Sequence, residues 1–168
     1  MRIRLEEADD RDRSLEVERV AFGSEEEVAI VVAVRKEEGS FALVAEEDGE
    51  IVGHVQLSRA WAGEIPLLAL GPIGVLPTHQ RKGIGRALIE AAAEDGRRRG
   101  EIALILLGDP NLYPRFGFEP AARYGLRNPF AGVEAGGFVI AEADFQIRPL
   151  AEGLGSLPGQ VRWHPAFG

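Results

Sequence analysis

Gln80-Arg81-Lys82-Gly83-Ile84-Gly85 is the stretch on which the reading of this chain turns. An apolar run ends just before it in Leu76-Pro77. Just after it Ile84, Ala87, Leu88, Ala91, Ala92 and Asp95 recur along one helical face. A polar turn with two glycines that opens a helix leaves backbone N–H groups aimed outward from the positive helix end. Such a turn is an anion site, most naturally a phosphate site. Arg81, Lys82 and Arg86 add positive charge around it. The spacing excludes two phosphate ligands. A Walker loop needs Gly, four residues and then Gly-Lys-Ser/Thr, which the stretch does not contain. The dinucleotide fingerprint wants glycine or alanine where Leu88 stands, and an acidic residue ending the next strand. Neither ATP nor NAD fits. Taken alone, the stretch also reads as a plain helix cap with flexible glycines.

The surroundings are strand, helix and strand. Ile65 to Leu76 reads as a strand interrupted by Gly71-Pro72 and Gly74, a pattern of bulges or of close approach by another group. The helix ends near Arg97-Arg98-Arg99-Gly100, basic residues followed by glycine, a solvated helix end by default. Ile102 to Leu107 is wholly apolar, the mark of a strand covered on both faces. Together they predict a parallel crossover unit. Asp109-Pro110 then caps a short helix to about Arg115.

Towards the N-terminus, residues 2–6 alternate as a first strand. Asp9, Asp10 and Asp12 favour a helix start, with Leu15, Val17, Val20, Ala21 and Phe22 as its buried side. Ser24 and Glu27 form a capping box for a second helix over about 25–37. Segments 40–46 and 51–57 form a hairpin around Glu47-Asp48-Gly49. Towards the C-terminus, 137–141 and 160–163 read as strands. The expected fold is α/β (α+β): a mixed, mostly antiparallel sheet with a central parallel strand pair and about four helices. One domain over 1–168 is expected, with a core to about 145 and a C-terminal extension over about 146–168.

The 168 residues carry 19 basic and 27 acidic side chains, a net charge of −8. That argues against nucleic acid as a partner, because its binders neutralise phosphates. No apolar run approaches the roughly 20 residues that span a bilayer, so no membrane partner is expected. The start, Met1-Arg2-Ile3-Arg4-Leu5, lacks a signal peptide's apolar segment. With no cysteine there is no thiolate nucleophile and no cysteine metal site. The expected location is cytoplasmic. His79 and His164 have no partners at metal-ligand spacing, and no catalytic metal is expected. The apolar end, Trp163 to Phe167, either meets a second copy, making a homodimer, or closes the sheet edge.

Gly74-Val75-Leu76-Pro77, Gln80-x-x-Gly83-x-Gly85 and Tyr113-x-x-x-Gly117-Phe118 together resemble the GNAT N-acetyltransferases. The segment Gly108-Asp109-Pro110-x-x-Tyr113-x-Arg115-Phe116-Gly117-Phe118 and the ending Val161 to Phe167 are similar to one bacterial branch of that family. The resemblance implies that the Gln80 loop holds the pyrophosphate of acetyl-CoA through backbone N–H groups. It implies cosubstrate contacts at Ile73, Gly74, Val75, Gln80, Arg81, Lys82, Gly83, Ile84, Gly85, Arg86, Asp109, Tyr113 and Phe116. An asparagine common in the family before the tyrosine is here replaced by the Gly108-Asp109-Pro110 turn.

Acetyl transfer needs a held thioester, a polarised carbonyl, a neutral amine and a protonated leaving thiolate. A backbone N–H near Gly74 or Val75 would polarise the carbonyl; the alternative is a bulge serving only sheet twist. Tyr113 would be the general acid, because a phenol of pKa ~10 can protonate a thiolate whose acid has pKa ~8.5. His54, on the strand face of Val52 and Gln56, is the candidate base, against a structural role in the core. Asp109 is either functional or, as an Asp-Pro pair suggests, a helix cap. The resemblance implies a primary amine of a small molecule, peptide or protein as acceptor, attacking acetyl-CoA directly in a ternary complex. The alternative is a catalytically silent acyl-CoA sensor or scaffold of the same fold.

Overall fold

The structure, a computed structural model, describes residues 1–168. Its strands are β1 (Arg2–Leu5), β2 (Phe41–Glu47), β3 (Glu50–Ala62), β4 (Ile65–Val75), β5 (Ala103–Leu107), β6 (Glu119–Pro120), β7 (Glu134–Ala135), β8 (Phe138–Val139), β9 (Phe145–Pro149) and β10 (Val161–Arg162). Its α-helices are α1 (Arg11–Phe22), α2 (Glu26–Val34) and α3 (Ile84–Arg98). The chain divides into two compact units. The first holds Met1–Arg59, Leu70–Asp95 and His164–Gly168, and the second holds Ala60–Ala69 and Gly96–Trp163. No helix is long and apolar enough to cross a membrane.

In the first unit the strand order is β1-β2-β3-β4. The β2–β3 hairpin turns at Asp48-Gly49, both with positive φ, as the Asp-Gly pair predicts. β3 runs 13 residues, well beyond the expected 51–57, and residues 51–58 are buried without a break. Polar Ser58 and Arg59, directly after Leu57, hide the continuation to Ala62 in the sequence.

Two helices of this unit depart from expectation. α1 ends at Gly23, as expected, but the residues it buries fully are Ser14, Val17 and Glu18, while Val20 and Phe22 lie exposed. The inward stripe is therefore partly polar: Val17 is buried as expected, but Ser14 and Glu18 go inward with it and Val20 and Phe22 do not. α2 begins at Glu26, and its apolar run is a helix burying Val28, Val31 and Val34. The Ser24 hydroxyl accepts from the Glu26 N–H at 3.1 Å, but no capping box with Glu27 forms. The helix also stops at Val34, three residues early.

The second unit has the order β3-β4-β5-β9-β6, with β10 paired to β3. β4 and β5 are parallel, with Leu68 beside Leu104 and Ala69 beside Ile105, while β5 and β9 are antiparallel. Leu67, Ala69, Ile105, Phe145 and Ile147 form its core. Ala103 to Leu106 are all at least 99% buried, which is why that strand reads as an unbroken apolar run. Trp163 packs here against Phe145, ring centroids 5.6 Å apart. The sheet is mixed and mostly antiparallel with one parallel pair, as expected. Three α-helices stand where about four were expected. The fourth is a four-residue 3-10 turn, Tyr113–Phe116, because Pro114 and Gly117 leave no room for longer helical pairing. Residues 137–141 hold only the two-residue β8, paired with β7.

Candidate active site

The Gln80 loop belongs to the first unit. After β4 the chain makes a short 3-10 turn (Pro77–His79) and reaches α3 through two left-handed residues, Arg81 (φ 61°) and Gly83 (φ 83°). A non-glycine residue in that region is uncommon and costs energy unless the surroundings require it. The Gln80 side chain ties the loop down by donating to the Val75 carbonyl at 3.0 Å. The Ala87 N–H donates to the Gly83 carbonyl at 3.0 Å, which makes Gly83 the acceptor that starts the helical ladder. The amides before Ala87 in this first turn have no acceptor within the helix. Arg81, Lys82 and Gly83 are exposed, and a Cβ built on Gly83 or on Gly85 meets nothing within 4 Å. The loop is an exposed helix start with cationic side chains around it.

Gly74 lies near the end of β4, and its lack of a side chain has a reason. A Cβ there would stand 2.7 Å from Glu18 Oε2 and 3.1 Å from the Ala21 Cβ. The glycine lets α1 approach the strand. Glu18 is fully buried, and its Oε1 lies 2.6 Å from His54 Nδ1, also fully buried. His54 Nε2 stands 3.6 Å from Glu6 Oε1, which in turn lies 3.5 Å from Arg35 Nη2. Burial pushes the Glu18 carboxyl above the ordinary carboxylate range, the His54 contact opposes it, and Glu27 adds to it. His54 thus occupies the strand face assigned to it, but sealed and held by a carboxylate. Glu18 was missed by sequence reasoning. Its only signal is a place one turn after Ser14 on the inward stripe of α1, which reads as solvent-facing until the strand opposite is known.

Tyr113, Asp109 and Phe116 belong to the second unit. The Asp109 side chain accepts from the Asn111 N–H at 2.8 Å, and its carbonyl accepts from Leu112 and Tyr113. Asp109 thus closes an Asx turn over Pro110-Asn111 instead of capping the helical turn as expected, since that turn starts at Tyr113 with Leu112 as its N-cap. The Tyr113 ring lies on Gly108, where a Cβ would meet its Cε2 at 2.3 Å. Phe116 and Phe118 meet it edge-on at 6.1 and 5.8 Å. Burial first, and the Asp109 charge second, push the phenol above its ordinary value. Gly108→Ala is therefore expected to cost about 1–3 kcal/mol by overpacking and to displace the ring. Thermal unfolding and near-UV circular dichroism would detect both; an unchanged tyrosine signal would count against this packing. A cavity of about 520 Å³ opens beside Gly108, between Leu107–Pro110 and Phe138–Ala141, with Asp144 also on its wall.

His79 and His164 pair with carboxylates, Glu47 at 3.1 Å and Glu37 at 3.6 Å. No group of three or more His, Cys, Asp or Glu residues is placed to hold a metal ion.

Residues 5–118 match the model of the Acetyltransferase (GNAT) family. The chain belongs to the GNAT family of acetyltransferases. It is 32% identical over 155 residues to the uncharacterized N-acetyltransferase YhbS of Escherichia coli K12, covering 89% of this chain and 87% of that protein. It is 38% identical over 114 residues to another E. coli K12 protein, the uncharacterized N-acetyltransferase YjhQ. That match takes in 64% of this chain and 63% of YjhQ, less than two thirds of the relative's length. Among solved structures, that of E. coli YhbS in complex with CoA superimposes with a TM-score of 0.86 at 31% identity, covering 99% of this chain and 91% of that one. A GNAT family acetyltransferase from Brucella melitensis in complex with acetyl-CoA gives 0.77 at 31% identity, covering 99% and 97%.

Proposed function

We propose that this protein moves the acetyl group of acetyl-CoA to a primary amine by direct attack in a ternary complex. The observation that carries the reading is the Gln80 loop, whose left-handed residues Arg81 and Gly83 turn the chain into an exposed helix start with cationic side chains around it. Solved relatives that hold CoA or acetyl-CoA support the donor. In this reading the Arg81–Arg86 amides bind the pyrophosphate, and a β4 N–H at Gly74 or Val75 polarises the thioester carbonyl. The buried pair of Glu18 and His54 receives the amine proton. Tyr113 protonates the departing thiolate. A phenol is in its acid form at neutral pH, and burial with the Asp109 charge raises its pKa further. With no cysteine in the chain, no acetyl-thioester forms on the protein. The cavity beside Gly108 supports an acceptor seat near Tyr113, because its volume falls in the range of small-molecule sites.

Titration calorimetry with acetyl-CoA, followed by thiol release with a panel of primary amines and amino-terminal peptides, tests the proposal. Binding with turnover is the expected result. Binding without turnover across the panel would make the protein an acyl-CoA sensor, and absence of binding would remove both readings.

A further inference from the structure

We infer that Glu18 is the proton acceptor for the incoming amine and that His54 is the residue that positions it; this rests on the proposed acetyl transfer at Gly74. The first unit buries an unusual set of ionisable groups against one another. Glu18 comes from α1, His54 from β3, Glu6 from the segment after β1, and Glu27 and Arg35 from α2 and its end. A core does not need them, since buried charge is costly and a structural pair satisfies every polar atom. This set does not. Glu18 Oε2, His54 Nε2, Glu6 Oε1 and Glu27 Oε2 are buried without a hydrogen-bond partner, and so is the Ser14 hydroxyl one turn before Glu18. Orphaned buried polar atoms in native structures mark ordered water or a catalytic role.

Geometry singles out Glu18 among them. Its Oε1 is fixed by His54 Nδ1 at 2.6 Å, while Oε2 is the orphan. That orphan points at Gly74, with 2.7 Å to the site of an added Cβ. The Gly74 N–H adds a small favourable field at the carboxylate without making a well-aligned hydrogen bond. The proposed thioester site on β4 is thus next to this carboxylate, with the Gly74 backbone and the Ala21 methyl beside it. A proton can cross that gap through one water, the reach allowed to a general base. His54 has no such access: one nitrogen is held by Glu18 and the other faces Glu6.

The ammonium gives one proton to Glu18 Oε2, and the nitrogen lone pair forms the N–C bond. The C–S bond then breaks, and the thiolate takes the Tyr113 hydroxyl proton. The surplus proton on the new amide nitrogen restores that hydroxyl, so the single proton released is the one on Glu18. Burial and Glu27 raise the proton affinity of Glu18 and the His54 contact lowers it. Glu6 and Arg35 are the remaining charged groups around the ring, and both stand on its far side.

The test compares thiol release with a primary alkylamine, which must lose a proton, and with hydroxylamine, already neutral at pH 7. With Glu18→Gln, kcat for the alkylamine is expected to fall roughly 100-fold or more and to recover as pH approaches ~10. With hydroxylamine it should stay within about fivefold, since no proton need be removed before attack. Acetyl-CoA affinity should be unchanged. His54→Asn, which keeps an amide donor near the Nδ1 position, should retain more activity than His54→Leu, and Glu18→Asp should shift the acid limb without abolishing it. Equal losses for both amines, or a loss with an unchanged pH profile, would make Glu18 structural and overturn the inference. Wild-type activity with both amines and a silent Glu18→Gln change would overturn it while leaving the transferase reading intact. Wild type that binds acetyl-CoA yet acetylates neither amine would remove both.

Discussion

Replacing Gly85 by valine is expected to weaken acetyl-CoA binding by roughly 100-fold or more while leaving the fold as stable as before. The separation of the two effects is physical. A Cβ at Gly85 meets no atom of the protein within 4 Å, and the backbone there is ordinary right-handed helix. Valine is no worse than glycine as a helix former, so the helix loses nothing by the change. The space it fills is the open side of the helix start where, in the proposed function, amide donors meet the pyrophosphate. Charge-assisted hydrogen bonds are worth about 1.5–3 kcal/mol each, and losing two accounts for the effect. Calorimetric titration of acetyl-CoA and thermal unfolding measure the two quantities separately. Unchanged affinity would move the phosphate site elsewhere.

Tyr113→Phe carries the second large effect. Thiol release is expected to fall by about 10²–10⁴-fold, the usual contribution of a positioned general acid. Acetyl-CoA affinity should hold, because the ring keeps its seat on Gly108 and its edge contacts with Phe116 and Phe118. The pH profile supplies an independent check. Burial and Asp109 raise the phenol pKa, so the acid form survives to higher pH than in a free tyrosine. The alkaline limb of wild-type turnover should therefore lie above ~10 and be absent from the residual activity of the variant. The same raised value means that stability from the neutral phenol is full below ~10 and is lost as pH rises through the folded value, a loss that phenylalanine removes. Full activity in the variant would transfer the acid role to solvent.

The parts of this protein legible in its sequence are those whose function depends on backbone. The Gln80 loop is readable because glycine spacing, a preceding strand and a following amphipathic helix are all local. The strand 103–107 is readable because a position covered on both faces admits only apolar residues. The Asp48-Gly49 turn is short-range backbone chemistry and forms as expected, whereas Asp109 makes an Asx turn and the helical turn it was expected to cap starts only at Tyr113. Helix α1 is the counterexample. Val17 goes inward as its pattern predicts, but Ser14 and Glu18 go with it in place of Val20 and Phe22, because Gly74 leaves room for a carboxylate and His54 offers it a partner. The partner is 36 residues away in sequence. No local pattern carries that information.

By itself, then, the sequence determined the frame: a mixed sheet with a parallel pair, a glycine-bearing turn that opens a helix, and a tyrosine before Gly-Phe that together led to the GNAT family. Only the tertiary structure decided which ionisable groups are shut away together. Backbone sites are set by conformations that a few adjacent residues dictate. The buried cluster of Glu6, Glu18, Arg35 and His54 exists because strands and helices distant along the chain converge on one spot, and burial, which governs their protonation, is a property of that convergence alone.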